Sequence, residues 1–247
     1  MDLVFEAAEA QAYERWLETP AGQSYVRESC ALLDRILDFR PGWRVLDVGC
    51  GLGIHLAHLM GRGALAHGLE AGPVAARLAA GRLGPKADID VGDAHDLPYE
   101  DNSFDAVILV DTLEFTERRA QVVAEAARVA TSRVCLMAMN LLAPRTWLSH
   151  LPGSGHPFAQ GMFLPPWSLF RLAREVLGPV PRSWAATPPW RGSKLRHWPM
   201  GNLWAVCSAV TPRYRTRPLT VTNTAAGASP PQPVAGHGRV SVLHRIK

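Results

Sequence analysis

Residues 45–53 read Val-Leu-Asp-Val-Gly-Cys-Gly-Leu-Gly, an apolar run that ends in three glycines at alternate positions. A helical pattern over residues 54–61 follows at once. A buried strand that enters a glycine-rich turn and then a helix start lets the backbone approach a ligand closely, with free N–H groups at the helix start facing it. The spacing excludes one common use of such a turn. A dinucleotide fingerprint, G-x-G-x-x-G, needs a third glycine where Ile54 stands. What stands instead is D-x-G-x-G-x-G, with Asp47 inside the strand two residues before Gly49.

The chain around this turn alternates short apolar runs with helical patterns. The runs are 44–48, 64–69, 89–91, 106–110 and 134–139, and helical stretches at 54–61, 73–83 and 117–130 separate several of them. Strands joined through helices imply parallel pairing with crossovers, hence an α/β doubly wound sheet. Two amphipathic helices are expected ahead of it, the first carrying Phe5, Tyr13, Trp16 and Leu17, the second over 23–39. Thr19-Pro20-Ala21-Gly22 is expected to break them, and Arg40-Pro41-Gly42 to close the second. After residue 140 one helix (166–177) and one apolar run (203–210) stand out, the run being expected as a late antiparallel strand at the sheet edge.

The net charge of +4 hides a division. Residues 1–140 carry 13 Lys/Arg and 21 Asp/Glu, a balance of −8, whereas 141–247 carry 13 Lys/Arg and only Glu175, a balance of +12. A basic half that also holds six of the eight tryptophans suits nucleic acid or an anionic ligand. Only Lys86, Lys194 and Lys247 among the 26 basic residues of the chain are lysines, so general arginine usage accounts for the same charge, and no RNA-binding signature accompanies it. Cys30, Cys50, Cys135 and Cys207 are scattered singly, which fits reduced thiols better than disulfides or a zinc site. No apolar run approaches the ~18 residues of a membrane span, and the acidic start shows no secretory signal. A cytoplasmic protein is expected.

The D-x-G-x-G-x-G turn resembles motif I of class I S-adenosylmethionine-dependent methyltransferases. Further residues fall where that family's pattern places them. Glu70 closes ALAHGLE, 17 residues after Gly53, and VGDAHDLPYEDNSFDAV is similar to the family's "GDA…LPF…SFD" segment. Tyr13-Glu14-Arg15-Trp16, Thr19-Pro20-Ala21-Gly22 and a following Glu28 resemble the "YDxWFxTPxGxxxxxxE" entry segment of the type 11 group. Thr131-Ser132 stands where the family usually has a Pro-Gly-Gly turn before its fifth strand.

The resemblance implies a Rossmann-like sheet of about seven strands under an N-terminal helical lid, with S-adenosyl-L-methionine as cofactor. In cofactor binding it implies Asp47, Gly49, Cys50, Gly51 and Gly53 at the turn. It adds Glu70 and Ala71, with Glu70 on the ribose hydroxyls, Asp93 and Ala94 at the adenine, and Asp111 beyond the fourth strand. Tyr13, Trp16 and Tyr25 become candidates for the acceptor pocket, with plain helix packing as the alternative for their rings. The implied division is a lid over 1–40, a cofactor core over 41–140, a substrate insert with the last strands over 141–210, and a disordered basic tail over 211–247.

Methyl transfer from a sulfonium needs alignment and exclusion of water more than side-chain chemistry. A hydroxyl or acidic-carbon acceptor also needs a base, and His150, His156 and Glu114 are the candidates. His55 and His58, with no third ligand nearby, make a poor metal pair, so no metal is expected. His95 falls either near the adenine or on a solvent-facing loop. The six later tryptophans (Trp147, Trp167, Trp184, Trp190, Trp198, Trp204) suit an aromatic acceptor pocket or the core of a cap. The expected reaction is metal-independent methylation of a small organic acceptor. Methylation of RNA or protein, or a non-catalytic partner role, are the alternatives; the oligomeric state is open.

Overall fold

The computed structural model describes residues 6–149, 156–188 and 201–212. Helices α1 (Ala7–Glu18) and α2 (Pro20–Ile36) come first. Thr19 alone breaks the two as expected, while Pro20-Ala21-Gly22 belong to the second helix. The Thr19 hydroxyl oxygen accepts the Gly22 N–H at 3.1 Å, and Pro20 sits in the first turn, where its missing N–H would have no partner anyway. Helix α2 therefore begins and ends three residues earlier than its periodicity predicts, and the chain leaves it through Asp38 in a left-handed conformation (φ 45°).

Seven strands follow: β1 (Arg44–Val48), β2 (Leu65–Glu70), β3 (Ala87–Val91), β4 (Phe104–Val110), β5 (Ala130–Met139), β6 (Arg182–Ala186) and β7 (Leu203–Ala209). They form one sheet in the order β3-β2-β1-β4-β5-β7-β6. The first five are parallel, because α3 (Ile54–Met60), α4 (Pro73–Leu83) and α5 (Arg119–Val129) carry crossovers between them. Strand β7 is antiparallel to β5 as expected, but it is not the edge. It lies between β5 and β6, and β6, whose short Arg-Ser-Trp-Ala-Ala run gives little sequence signal, takes that place. Thr131-Ser132, standing in place of the family's usual turn, forms none: both residues lie in β5, which continues directly from α5, with a register shift against Phe104 and Ala106.

Both faces of the sheet are covered, so central strands read as unbroken apolar runs. Val45, Ala106, Ile108, Val110, Cys135 and Met137 face α1 and α2, whereas Leu46, Val48, Val107, Leu109, Val134 and Leu136 face α5 and α7 (Pro166–Leu177). A short helix, α6 (Pro144–Ser149), follows β5. The described residues belong to one compact unit, residues 1–214. No helix among them is long and apolar enough to cross a membrane.

The tryptophans do not converge on one pocket. Trp184 and Trp204 stack at 4.6 Å across β6 and β7 and, with Trp167, Phe170 and Leu142, line a groove on the α7 side. Trp147 is exposed, and Trp190 and Trp198 lie outside the described residues. So does nearly all of the tail expected to be disordered.

Candidate functional site

Strand order reverses where β2 and β4 flank β1, and in open α/β sheets ligands bind beyond the carboxyl ends of strands at such a switch point. A cavity of about 390 Å³ opens there. Its walls include Gly49, Cys50 and Gly51 from the turn after β1, Glu70 and Ala71 after β2, Asp93 and Ala94 after β3, and Asp111 after β4. Tyr13 from α1 and Tyr25 from α2 complete the side facing the helices. Eight of the ten residues expected at the cofactor thus line one cavity; Asp47 and Gly53 do not.

Gly49 and Gly53 are required for different reasons. Gly49 has φ +74°, and a Cβ on it would stand 2.7 Å from the Thr112 side chain, whose hydroxyl donates to the Val48 carbonyl at 2.7 Å. Gly53 has φ +73°, and its Cβ would meet Leu83 at 2.9 Å, so this glycine serves the packing of α3 on α4. Asp47 is buried in β1. Burial and the neighbouring Glu70 push its carboxyl well above the usual range, and neither of its oxygens has a hydrogen-bond partner.

The turn does not present its amides in the way the sequence suggests. The Gly49 and Cys50 N–H groups donate to the Leu69 carbonyl, Gly51 N–H donates to Glu70 Oε2 at 2.8 Å, and Gly53 N–H donates to the Cys50 carbonyl. Glu70 Oε1 also accepts the Gly72 N–H at 2.9 Å, so its carboxylate clamps both turns while still lining the cavity. Glu70, Asp93 and Asp111 supply three acids to the wall, and no Lys or Arg is among the described lining residues. Inward-turned amides and bare acids suit a cation, whereas a phosphate would need the reverse.

His95 is buried. Its Nδ1 lies 2.7 Å from Asp93 Oδ1 and its Nε2 lies 2.8 Å from the Thr116 hydroxyl. The His95 N–H also donates to Asp93 Oδ1 at 2.8 Å, and this backbone bond is the main cause that holds the Asp93 carboxyl below its ordinary value. His55 and His58 diverge. His55 turns inward to the Ser29 hydroxyl at 3.0 Å, and burial lowers its imidazole to about 4. His58 turns outward to Asp34 at 2.7 Å. Among the described residues no three His, Cys, Asp or Glu side chains gather as a metal-binding group.

Beyond β4 the Tyr25 hydroxyl donates to Asp111 Oδ2 at 2.5 Å. Asp111 has φ 51°, and burial raises its carboxyl to about 6. Glu114 does not reach the cavity. It is buried, accepts the Met139 N–H at 2.7 Å, and is pushed well above the carboxylate range by burial and then by the charge of Asp111. A second cavity, of about 250 Å³, is lined by Trp16, Tyr25, Glu28, Met139, Arg145 and His156, among others. His156 meets the Trp16 ring edge-on at 4.9 Å. Its Nδ1 accepts the Phe158 N–H at 3.3 Å, which favours the tautomer protonated at Nε2. His150 lies outside the described residues. The Asp111–Phe115 segment, expected to lead from the fourth strand to the active-site mouth, does bring Thr112 and Phe115 to the wall; sequence reasoning passed over Thr116 and Phe158, because neither belongs to a spaced motif.

A family model described as a methyltransferase domain, of type 11, matches residues 46–136. Residues 46–136 thus form a methyltransferase domain similar to the class I, type 11 group. Ajmaline N-methyltransferase of Rauvolfia serpentina is 31% identical over 102 residues, which is 39% of this chain and 35% of that protein. Ubiquinone biosynthesis O-methyltransferase of Thiobacillus denitrificans is 29% identical over 180 residues, 66% of this chain and 77% of that one. The chain spans about a third of the length of the first curated relatives it matches. Among solved structures, a possible histamine N-methyltransferase of Thermotoga maritima superposes with a TM-score of 0.63 at 18% identity, covering 81% of this chain and 94% of that one. Magnesium protoporphyrin IX methyltransferase of Synechocystis, with bound S-adenosylhomocysteine, gives 0.62 at 16% identity, covering 83% and 95%. At these identities the likeness shows the fold. The family's cofactor is S-adenosylmethionine, and the acid-lined, cation-suited cleft fits it.

Proposed function

We propose that this methyltransferase domain binds S-adenosylmethionine in the first cavity and methylates a small organic acceptor held in the second. The observation that carries the reading is the acid-lined cleft at the switch point, joined to a smaller aromatic chamber through Tyr25. When bound, the cofactor supplies a methyl carbon already activated by a positively charged sulfur.

The chain's own residues then bind, orient and exclude water. Glu70 keeps a lone pair on each oxygen beyond its bonds to Gly51 and Gly72, enough to accept from a vicinal diol. The free Asp93 Oδ2, with Ala94 and Val91 beside it, suits an amino-bearing aromatic ring. Asp111 adds negative potential on the side towards β4, where a cationic group would lie. Tyr13, Tyr25, Phe115 and Phe158 close the outer wall with rings, keeping water from the transfer site. Holding two reactants in line in this way contributes roughly 7–11 kcal/mol in favourable cases, which is why no metal ion is part of the proposal.

Calorimetric titration of the purified chain with S-adenosylmethionine and, separately, with NADH tests the cofactor. Micromolar binding of the first and none of the second is the expected outcome, and the reverse would overturn the proposal. Transfer of labelled methyl to a panel of small hydroxyl, amine and thiol compounds then tests the acceptor class. Cofactor binding without transfer to any of them would favour a non-catalytic role.

A further inference from the structure

Tyr25 is the one described residue that lines both cavities, and its hydroxyl proton is committed to Asp111 Oδ2 at 2.5 Å. It therefore stands where an acceptor in the second cavity meets a donor in the first. We propose that Tyr25 and Asp111 form a proton relay, and that the acceptor is a small hydroxyl compound of phenol type whose O–H is presented to Tyr25. This rests on the methyl-transfer reading above and assigns that site its acceptor chemistry.

The surroundings support a carboxylate that can receive a proton. Asp111 faces Tyr25 from α2, Tyr13 from α1 through the Tyr25 hydroxyl, and Glu114 from the turn after β4. Asp47 on β1 lies close enough to act electrostatically on Tyr13, and the neutral His55 ring of α3 meets Tyr25 edge-on at 6.2 Å. Arg145 lines the second cavity, but no Lys or Arg is among the described residues of the first cavity's wall, so Asp111 is not locked as an ion-paired anion. Asp111 Oδ1 and Glu114 Oε2 are both buried without a partner when each acid is drawn as an anion. One proton carried on Glu114 satisfies both, leaving Asp111 as the charged member that Tyr25 serves.

In the step, the acceptor oxygen bonds to the methyl carbon while the carbon–sulfur bond breaks, its electron pair remaining on sulfur. The acceptor's proton passes to Tyr25 Oη, and Tyr25's own proton passes to Asp111 Oδ2. Asp111 ends neutral and Tyr25 is restored. Aromatic walls from Trp16, Tyr25 and His156 suit a planar ring behind the hydroxyl.

The test uses the full chain with S-adenosylmethionine and two matched probes, phenol and thiophenol; the thiol is largely ionised at mildly alkaline pH and needs no base. Tyr25→Phe and Asp111→Asn are expected to lower the phenol-to-thiophenol rate ratio by about 100-fold or more. Both should also remove the rise of the phenol rate through pH about 6. Equal loss on both probes, or thiophenol methylation by the wild type without phenol methylation, would overturn the relay. A second readout needs no turnover: carbon-13 titration of Asp111, its resonance assigned by loss in Asp111→Asn. Adding phenol should shift that titration in the wild type and not in Tyr25→Phe, and bound phenol that leaves it unmoved overturns the relay. Failure of the wild type to bind S-adenosylmethionine or to methylate either probe would sink the functional reading itself, whatever the titration shows.

Discussion

The two cavities are built in different ways. The first is lined largely by backbone turns that follow consecutive strands, so Gly49–Gly51, Glu70–Ala71, Asp93–Ala94 and Asp111 reach it simply because β1, β2, β3 and β4 are parallel and in register. The second is lined by side chains from α1, α2, α6, the segment around His156 and the start of β7, distant in sequence and gathered by helix packing. A site made of strand ends tolerates little change in the backbone and keeps its shape across a family. A site made of helix side chains can change its occupant without disturbing the sheet.

The largest effect that would sharpen this contrast is expected at Gly49. Gly49→Ala forces a side chain into φ +74° and against Thr112, and should lower stability by about 3 kcal/mol in denaturant unfolding while abolishing cofactor binding. Unchanged unfolding would mean that the turn is not built on that residue. A comparable effect is hidden in the pH dependence of stability. Asp111, raised from 3.8 to about 6, contributes stability that is full below 3.8 and is lost as pH rises through 6. His55, lowered from 6.5 to about 4, contributes stability present above 6.5 and lost as pH falls through 4. The two slopes oppose each other across one window, each on the order of 3 kcal/mol. The wild-type slope also carries the raised Asp47 and Glu114 carboxyls, so the test is relative to it: Asp111→Asn should lose less stability as pH rises, and His55→Asn should lose more. Parallel profiles for all three proteins would refute this pairing.

Glu70→Ala comes next. It removes charge-assisted hydrogen bonds, and should weaken S-adenosylmethionine by roughly 1–3 kcal/mol in calorimetry and loosen the clamp on Gly51 and Gly72 as well. Unchanged affinity in the folded variant would show that Glu70 does not hold the cofactor. The smallest effect on cofactor affinity is expected from Trp16→Ala. Trp16 borders only the second cavity, so the change should alter S-adenosylmethionine binding by less than about 0.5 kcal/mol while raising KM for the acceptor. A large loss of cofactor affinity would break the distinction between the cavities.

Much of the fold was legible because its signals are local. Apolar runs bounded by glycine and proline placed β1, β2 and β4, and α4 and α7 begin and end where their periodicity puts them. What failed was information carried by neighbours. Strand β6 has a short, half-polar sequence and is a strand because β7 offers it a hydrogen-bonding edge. Pro20 reads as a breaker until the Thr19 cap shows that it stands at a helix start. Glu114 reads as an available base, and only packing reveals that it is enclosed and spent on the Met139 N–H.

The sequence by itself determined the acid-glycine turn, the carboxylates after β2 and β3, and hence the methyltransferase domain and its cofactor, since each is a fixed offset along one strand-turn-helix unit. Tertiary structure alone decided that the turn's amides point inward, that His95 braces Asp93, and that Tyr25 reaches Asp111 across 86 positions. Those contacts join groups whose separation along the chain carries no periodic signal. They exist because parallel strands end on one side of the sheet and α2 is packed over them.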